Sequence, residues 1–126
     1  MATGGTHDTE TLAEWWDSCD ARERGAVLAL SSLRETGISP DAAFSDRVRD
    51  ALLDALFAAG SRLLIVPIQD IFGWRDRINT PALVNDQNWT WRLPGPVERL
   101  MTDPGSLERA DALRAMSRKY GRSQPF

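Results

Sequence analysis

Leu63-Leu64-Ile65-Val66-Pro67-Ile68-Gln69-Asp70, "LLIVPIQD", decides how this chain folds. With Arg62 ahead of it, the apolar run predicts a short strand over Arg62–Ile68, buried on both faces, of the kind found in parallel sheets and barrels. Pro67 falls at the strand's end, where a missing N–H is tolerated. Gln69 and Asp70 then place polar groups just past its carboxyl end, in support of whatever site lies there. No other stretch reads as a strand with the same clarity. A lone buried strand leaves its backbone N–H and C=O groups without partners. Its partner strands are therefore expected outside this sequence or in another chain.

Around that strand the pattern is helical. A first helix is expected from Thr9 to about Asp17, with Asp8 or Thr9 as N-cap. A second is expected over Ala21–Glu35, with Ala26, Val27, Leu30 and Leu33 on one side and Gly37 as its stop. Ser39-Pro40 reads as the start of a third, in which Phe44, Val48, Leu52 and Leu56 recur every fourth residue up to Gly60. A last helix is expected from Ser106 to Tyr120, burying Leu107, Ala110, Leu113 and Met116, with Gly121 as its stop. Between Ile71 and Leu93 turn formers mix with Trp74, Trp89 and Trp91, and so long an irregular segment in a compact domain points to function.

The chain has 126 residues, 42% of them hydrophobic and 26% charged, which suits one small globular domain. A net charge of −3 argues against a broad nucleic-acid or anionic-membrane surface. The single cysteine, Cys19, cannot form an internal disulfide, and it reads as a small buried hydrophobe. With no apolar run long enough for a membrane span and no signal-peptide core near Met1, a cytoplasmic protein is expected. Five tryptophans are many for this length. Each either fills the core or offers a flat amphipathic wall to a sugar or base.

Two motifs, taken together, carry a resemblance. "GTHDTETLAEWW" (Gly5–Trp16) and "LLIVPIQDIFGWRDRINTPALVNDQNWTWRLP" (Leu63–Pro94), in that order, resemble the C-terminal part of the 4-α-glucanotransferase family, the amylomaltases or disproportionating enzymes. The final "LERADALRAMSRKYGR" is similar to the family's usual ending. The resemblance implies an α/β fold: the C-terminal portion of a (β/α)8 TIM barrel, mostly helical with at most one or two strands. The chain would run from the end of the seventh strand to the closing helix, with no second domain.

The resemblance also implies a chemistry. Asp8 would be the third carboxylate of a retaining transglycosylase, binding hydroxyls of the transferred glucose, and His7 the hydroxyl-binding histidine beside it. Read from the residues alone, Asp8 is better taken as a helix N-cap; the second motif is what favours the catalytic assignment. Asn79 and Pro81 match the acceptor-side segment, and Trp89 belongs to an "NWTWR" motif (Asn88–Arg92) that contacts sugar or clamps the loop. The nucleophile and the acid/base would lie on earlier strands. No metal and no cofactor are implied. The partners implied are a maltooligosaccharide or α-1,4-glucan and the missing N-terminal part of the barrel, with neither nucleic acid nor membrane. An inactive truncated remnant and a glucan- or partner-binding module are the alternatives. Two departures stand out: Thr9 replaces an asparagine common in the family, and Ala82 follows the loop proline where a glycine is frequent.

Overall fold

The computed structural model describes residues 1–122. In chain order the elements are β1 (Ala2–Thr3), α1 (Leu12–Ser18), α2 (Ala21–Leu28), α3 (Asp46–Ala58), β2 (Leu64–Ile65), α4 (Ile68–Phe72) and α5 (Pro104–Lys119). The strand expected over Arg62–Ile68 shrinks to two residues, because Pro67 already caps α4. Its partner lies in the same chain. β1 and β2 pair in parallel, Ala2 opposite Leu64 and Thr3 opposite Ile65. Nor is β2 buried on both faces: Ile65 is 50% and Leu63 46% exposed. Leu63 and Ile65, two residues apart, share one face of the sheet, and it is that face which is left exposed.

α1 begins later than expected. Thr11 is its N-cap: Thr11 Oγ1 accepts from Glu14 N at 3.3 Å, and Glu14 Oε2 accepts from Thr11 N at 3.1 Å. This reciprocal capping box satisfies two of the donors that a helix start leaves open. Asp8 and Thr9 are thereby left outside the helix. Asp20 and Glu23 repeat the device on α2. That helix stops at Leu28 rather than Glu35, giving way at Ala29 to turns and a short 3₁₀ segment (Arg34–Thr36) that ends on Gly37 at φ +67°. α3 starts at Asp46 behind the cap Ser45, so Pro40 belongs to the preceding turn.

The core lies between α1, α2 and α3: Leu12, Trp16, Leu28, Leu33, Val48, Leu52 and Leu53. Trp16 is wholly buried, and its indole N–H donates to Ala42 O at 2.9 Å. The α3 stripe is seen as expected at Val48 and Leu52, whereas Leu30 is exposed. Cys19, at the end of α1, is only half-buried, and desolvation still pushes its thiol up from the usual value.

α5 packs on α3, with Met116 against the core and Leu113 partly buried as expected, but its first turns present other residues. Ser106 and Arg109 are buried and Leu107 faces out. Arg109 donates to both carboxylate oxygens of Asp50, at 2.8 and 3.3 Å, and to Ile71 O at 3.1 Å. The guanidinium fork matches a carboxylate in a way that an apolar side chain here could not, so Arg109 rather than Leu107 is buried at this end of the helix.

Candidate active site

The site is built at the carboxyl ends of the two parallel strands. After β1, the hydroxyl of Thr3 bonds to Gly5 O at 2.7 Å and turns the chain. Thr9 then closes a tight turn. Its Oγ1 accepts from Thr6 N at 2.7 Å and donates to Thr6 O at 3.0 Å. Gly5 is required beside it, because a Cβ there would lie 2.5 Å from Thr9 Oγ1. The turn throws His7 and Asp8 outward, their side chains half exposed, with His7 Nε2 3.2 Å from Asp8 Oδ2.

The long segment after α4 folds back over this pair. Asn79 Nδ2 donates to Asp8 Oδ1 at 2.6 Å, and the Trp89 indole lies 5.0 Å from the His7 ring. Of the five residues singled out in the sequence, the structure therefore brings His7, Asp8, Asn79 and Trp89 together. Pro81 is exposed on the same loop, and it makes no hydrogen bond to the other four.

The loop is irregular but well tied. Asn88 Oδ1 accepts from Thr80 N at 3.0 Å, its Nδ2 donates to Leu83 O at 2.7 Å, and Trp89 N donates to Ile78 O at 2.7 Å. Arg77 reaches α1 through Glu14 at 2.9 Å, and Arg75 reaches it through Asp17 at 2.8 Å. Ala82 stands at φ +63° and Trp89 at +66°, a backbone region that costs an L-residue about 1–2 kcal/mol. At Trp89 that strain accompanies the placing of the ring over His7.

The tryptophans thus divide by role. Trp16 is core. Trp74 stacks on Phe72 at 4.6 Å, with Trp91 at 6.0 Å, and the three clamp the loop's root. Trp89 is 59% exposed at the site.

Asp70 joins the two strand ends. It is buried, and its Oδ1 accepts from Leu12 N, the first amide of α1, at 2.7 Å. Its Oδ2 occupies space that a side chain on Gly4 would need, 2.9 Å from where a Cβ would stand. Burial holds the carboxyl above its usual range, against the pull of the Leu12 amide. An acid whose folded pKa is raised favours the folded state below its unfolded value, and it loses that contribution as pH rises through the folded value. Asp70→Asn, which keeps an oxygen for the Leu12 amide, is therefore expected to melt above the wild type at pH 7. The gap should narrow as pH falls towards 4. Thermal melts of both proteins at the two pH values check this, and a gap that stays constant or reverses would count against it.

A parallel α/β scaffold with its chemistry-bearing side chains gathered at the carboxyl ends of the strands defines a class, since that is where α/β barrels keep their sites. The sequence profile of the 4-alpha-glucanotransferase family matches residues 1–98, and the chain belongs to that family. It is 33% identical over 121 residues to the chloroplastic/amyloplastic 4-alpha-glucanotransferase of Arabidopsis thaliana, covering 94% of this chain and 18% of that protein. The Solanum tuberosum counterpart is 32% identical over 125 residues, with the same coverage. Among solved structures, the amylomaltase of Streptococcus agalactiae in complex with acarbose superposes with a TM-score of 0.72 at 24% identity, over 98% of this chain and 22% of that one. The chain thus spans about a fifth of the length of the relatives it matches.

Proposed function

We propose that this chain is the C-terminal portion, from the seventh strand end to the closing helix, of a 4-α-glucanotransferase barrel. In this reading it supplies Asp8 and His7 to the catalytic centre, while the nucleophile and the acid/base come from the remainder of the barrel. The observation that carries the reading is the clasp in which Asn79 and Trp89 close over His7 and Asp8, joining two motifs some seventy residues apart. Family membership supports the activity, and the exposed edges of β1 and β2 suit strands of the remaining barrel on either side.

The reaction follows retaining chemistry, with two carboxyl groups about 5–5.5 Å apart. The nucleophilic carboxylate attacks the anomeric carbon while the acid protonates the departing 4-oxygen, which leaves as the shortened glucan. The acceptor's 4-hydroxyl then attacks the glucosyl-enzyme intermediate. Its proton returns to the same acid/base, and the carboxylate is released. Both transition states carry positive charge on the ring, and a fixed Asp8 anion bound to the ring hydroxyls favours them over the ground state. Asn79 holds that carboxylate in place from the acceptor side, and Trp89 and Pro81 border the path by which the acceptor enters.

Transfer is separated from hydrolysis by its acceptor. With maltotriose as donor and labelled glucose as acceptor, the chain assembled with the remaining barrel is expected to place label in maltooligosaccharides. Release of glucose with no label incorporated would identify a hydrolase and overturn the reading.

A further inference from the structure

We propose that Gln69 is a sugar-hydroxyl contact in the cavity that His7 borders, next to Asp8, and helps position the bound glucosyl unit. The proposal rests on the glucan reading above. Gln69 is only 4% exposed, yet its carboxamide makes no hydrogen bond among the described residues; its backbone carbonyl accepts from Gly73 N and, at 2.8 Å, from Trp74 N. No fully enclosed side-chain nitrogen or oxygen among the described residues lacks a partner, so the carboxamide retains access to open space. The space that Gln69 lines is a cavity of about 210 Å³, shared with Thr6, His7, Thr9, Asp70 and Arg77. The hydrogen-bonding groups of this carboxamide are thus free to meet a group that enters the cavity. Its neighbour makes the contrast, since Asp70 has committed an oxygen to the Leu12 amide.

The chemistry of the ligand follows from the lining. Glu10, Asp70 and Asp76 border the cavity against a single cation, Arg77, which disfavours an anion. No three His, Cys, Asp or Glu side chains among the described residues converge as metal ligands. What suits the cavity is a neutral group that both donates and accepts hydrogen bonds. A carboxamide offers two N–H donors and one acceptor oxygen, which matches an adjacent pair of ring hydroxyls. The volume lies below the roughly 300–1,000 Å³ of sites for drug-sized ligands, and so suits one ring rather than a chain of them.

The test is a titration with maltotriose of the ¹⁵N-labelled chain assembled with the remaining barrel, following the Gln69 side-chain amide and the ring of His7, the chain's sole histidine. Both signals are expected to move with one dissociation constant. Gln69→Leu should weaken that constant about tenfold while the His7 signal still shifts at saturation, the cost of one lost hydrogen bond. Gln69→Glu keeps the size and loses both N–H donors, and should weaken it comparably if the leucine variant fails to fold. An unchanged constant in the folded variants, with His7 still responding, would overturn the role of Gln69 and leave the glucan reading intact. If neither His7 nor Gln69 responds to maltotriose in the wild type, the glucan reading fails for this chain, and the proposal with it.

Discussion

Asp8→Asn is expected to lower maltotriose disproportionation by about 10²–10³-fold in the chain assembled with the remaining barrel, as loss of a preorganised electrostatic group does elsewhere. The substitution isolates charge from shape. Asparagine is nearly isosteric, and its carbonyl can still accept from Asn79 Nδ2, now 2.6 Å from Asp8 Oδ1. The side chain is half exposed, outside the helix and remote from the core, so stability should stay within about 0.5 kcal/mol. A true transition-state role lowers kcat and kcat/KM together, whereas a simple substrate contact raises KM with kcat unchanged. Steady-state kinetics on both proteins distinguish the two. A loss below tenfold, or one confined to KM, would remove Asp8 from the chemistry.

The second large effect falls on folding. Trp16→Ala is expected to destabilise the chain by about 3–5 kcal/mol, the range for truncating a buried tryptophan. Trp16 is entirely enclosed by the core, and its N–H is bonded to Ala42 O. Truncation opens a cavity and also strands that carbonyl. Against a domain stability of about 5–15 kcal/mol, such a loss leaves little margin. Urea titration of the two proteins measures it as a drop in midpoint with the slope preserved. Trp89→Ala is the contrast: its ring is 59% exposed, and its removal should leave the midpoint almost unmoved. Equal losses at the two positions would mean that the division of the tryptophans between core and site is wrong.

Where the sequence was legible, the signal was either periodic or doubled. The four-residue recurrence through Val48 and Leu52 marks α3 without help from tertiary context, since a 3.6-residue period has few other uses. His7-Asp8 alone is ambiguous. It became readable because the Asn79 and Trp89 segment accompanies it, and the structure brings those residues to it. Periodicity could not find β1, since two residues carry no period and its pairing with β2 is a contact across some sixty positions; only the resemblance put a strand end ahead of His7-Asp8. The start of α1 could have been found, because Thr11-Leu12-Ala13-Glu14 is a capping-box signature, here eclipsed by the more conspicuous Asp8 and Thr9. The first turns of α5 were misread for a different reason, while Leu113 and Met116 face inward as expected. Apolar periodicity assigns Leu107 to the core, while the structure buries Arg109 through its pairing with Asp50, a charge match that periodicity does not register. Gln69 and Asp70 were recognised as lying behind the site, but nothing local to the sequence distinguishes the oxygen that is committed from the amide that is free.

The central claim is that this chain supplies one part of a glucanotransferase centre and that the rest of the barrel supplies the other. Glucose release from maltotriose by the purified chain, with and without the remaining barrel polypeptide, tests it most directly. Disproportionation is expected only from the mixture, and is expected to vanish when the mixture carries Asp8→Asn. Disproportionation by the chain alone would contradict the account, because the nucleophile and acid/base would then have to lie within these 126 residues.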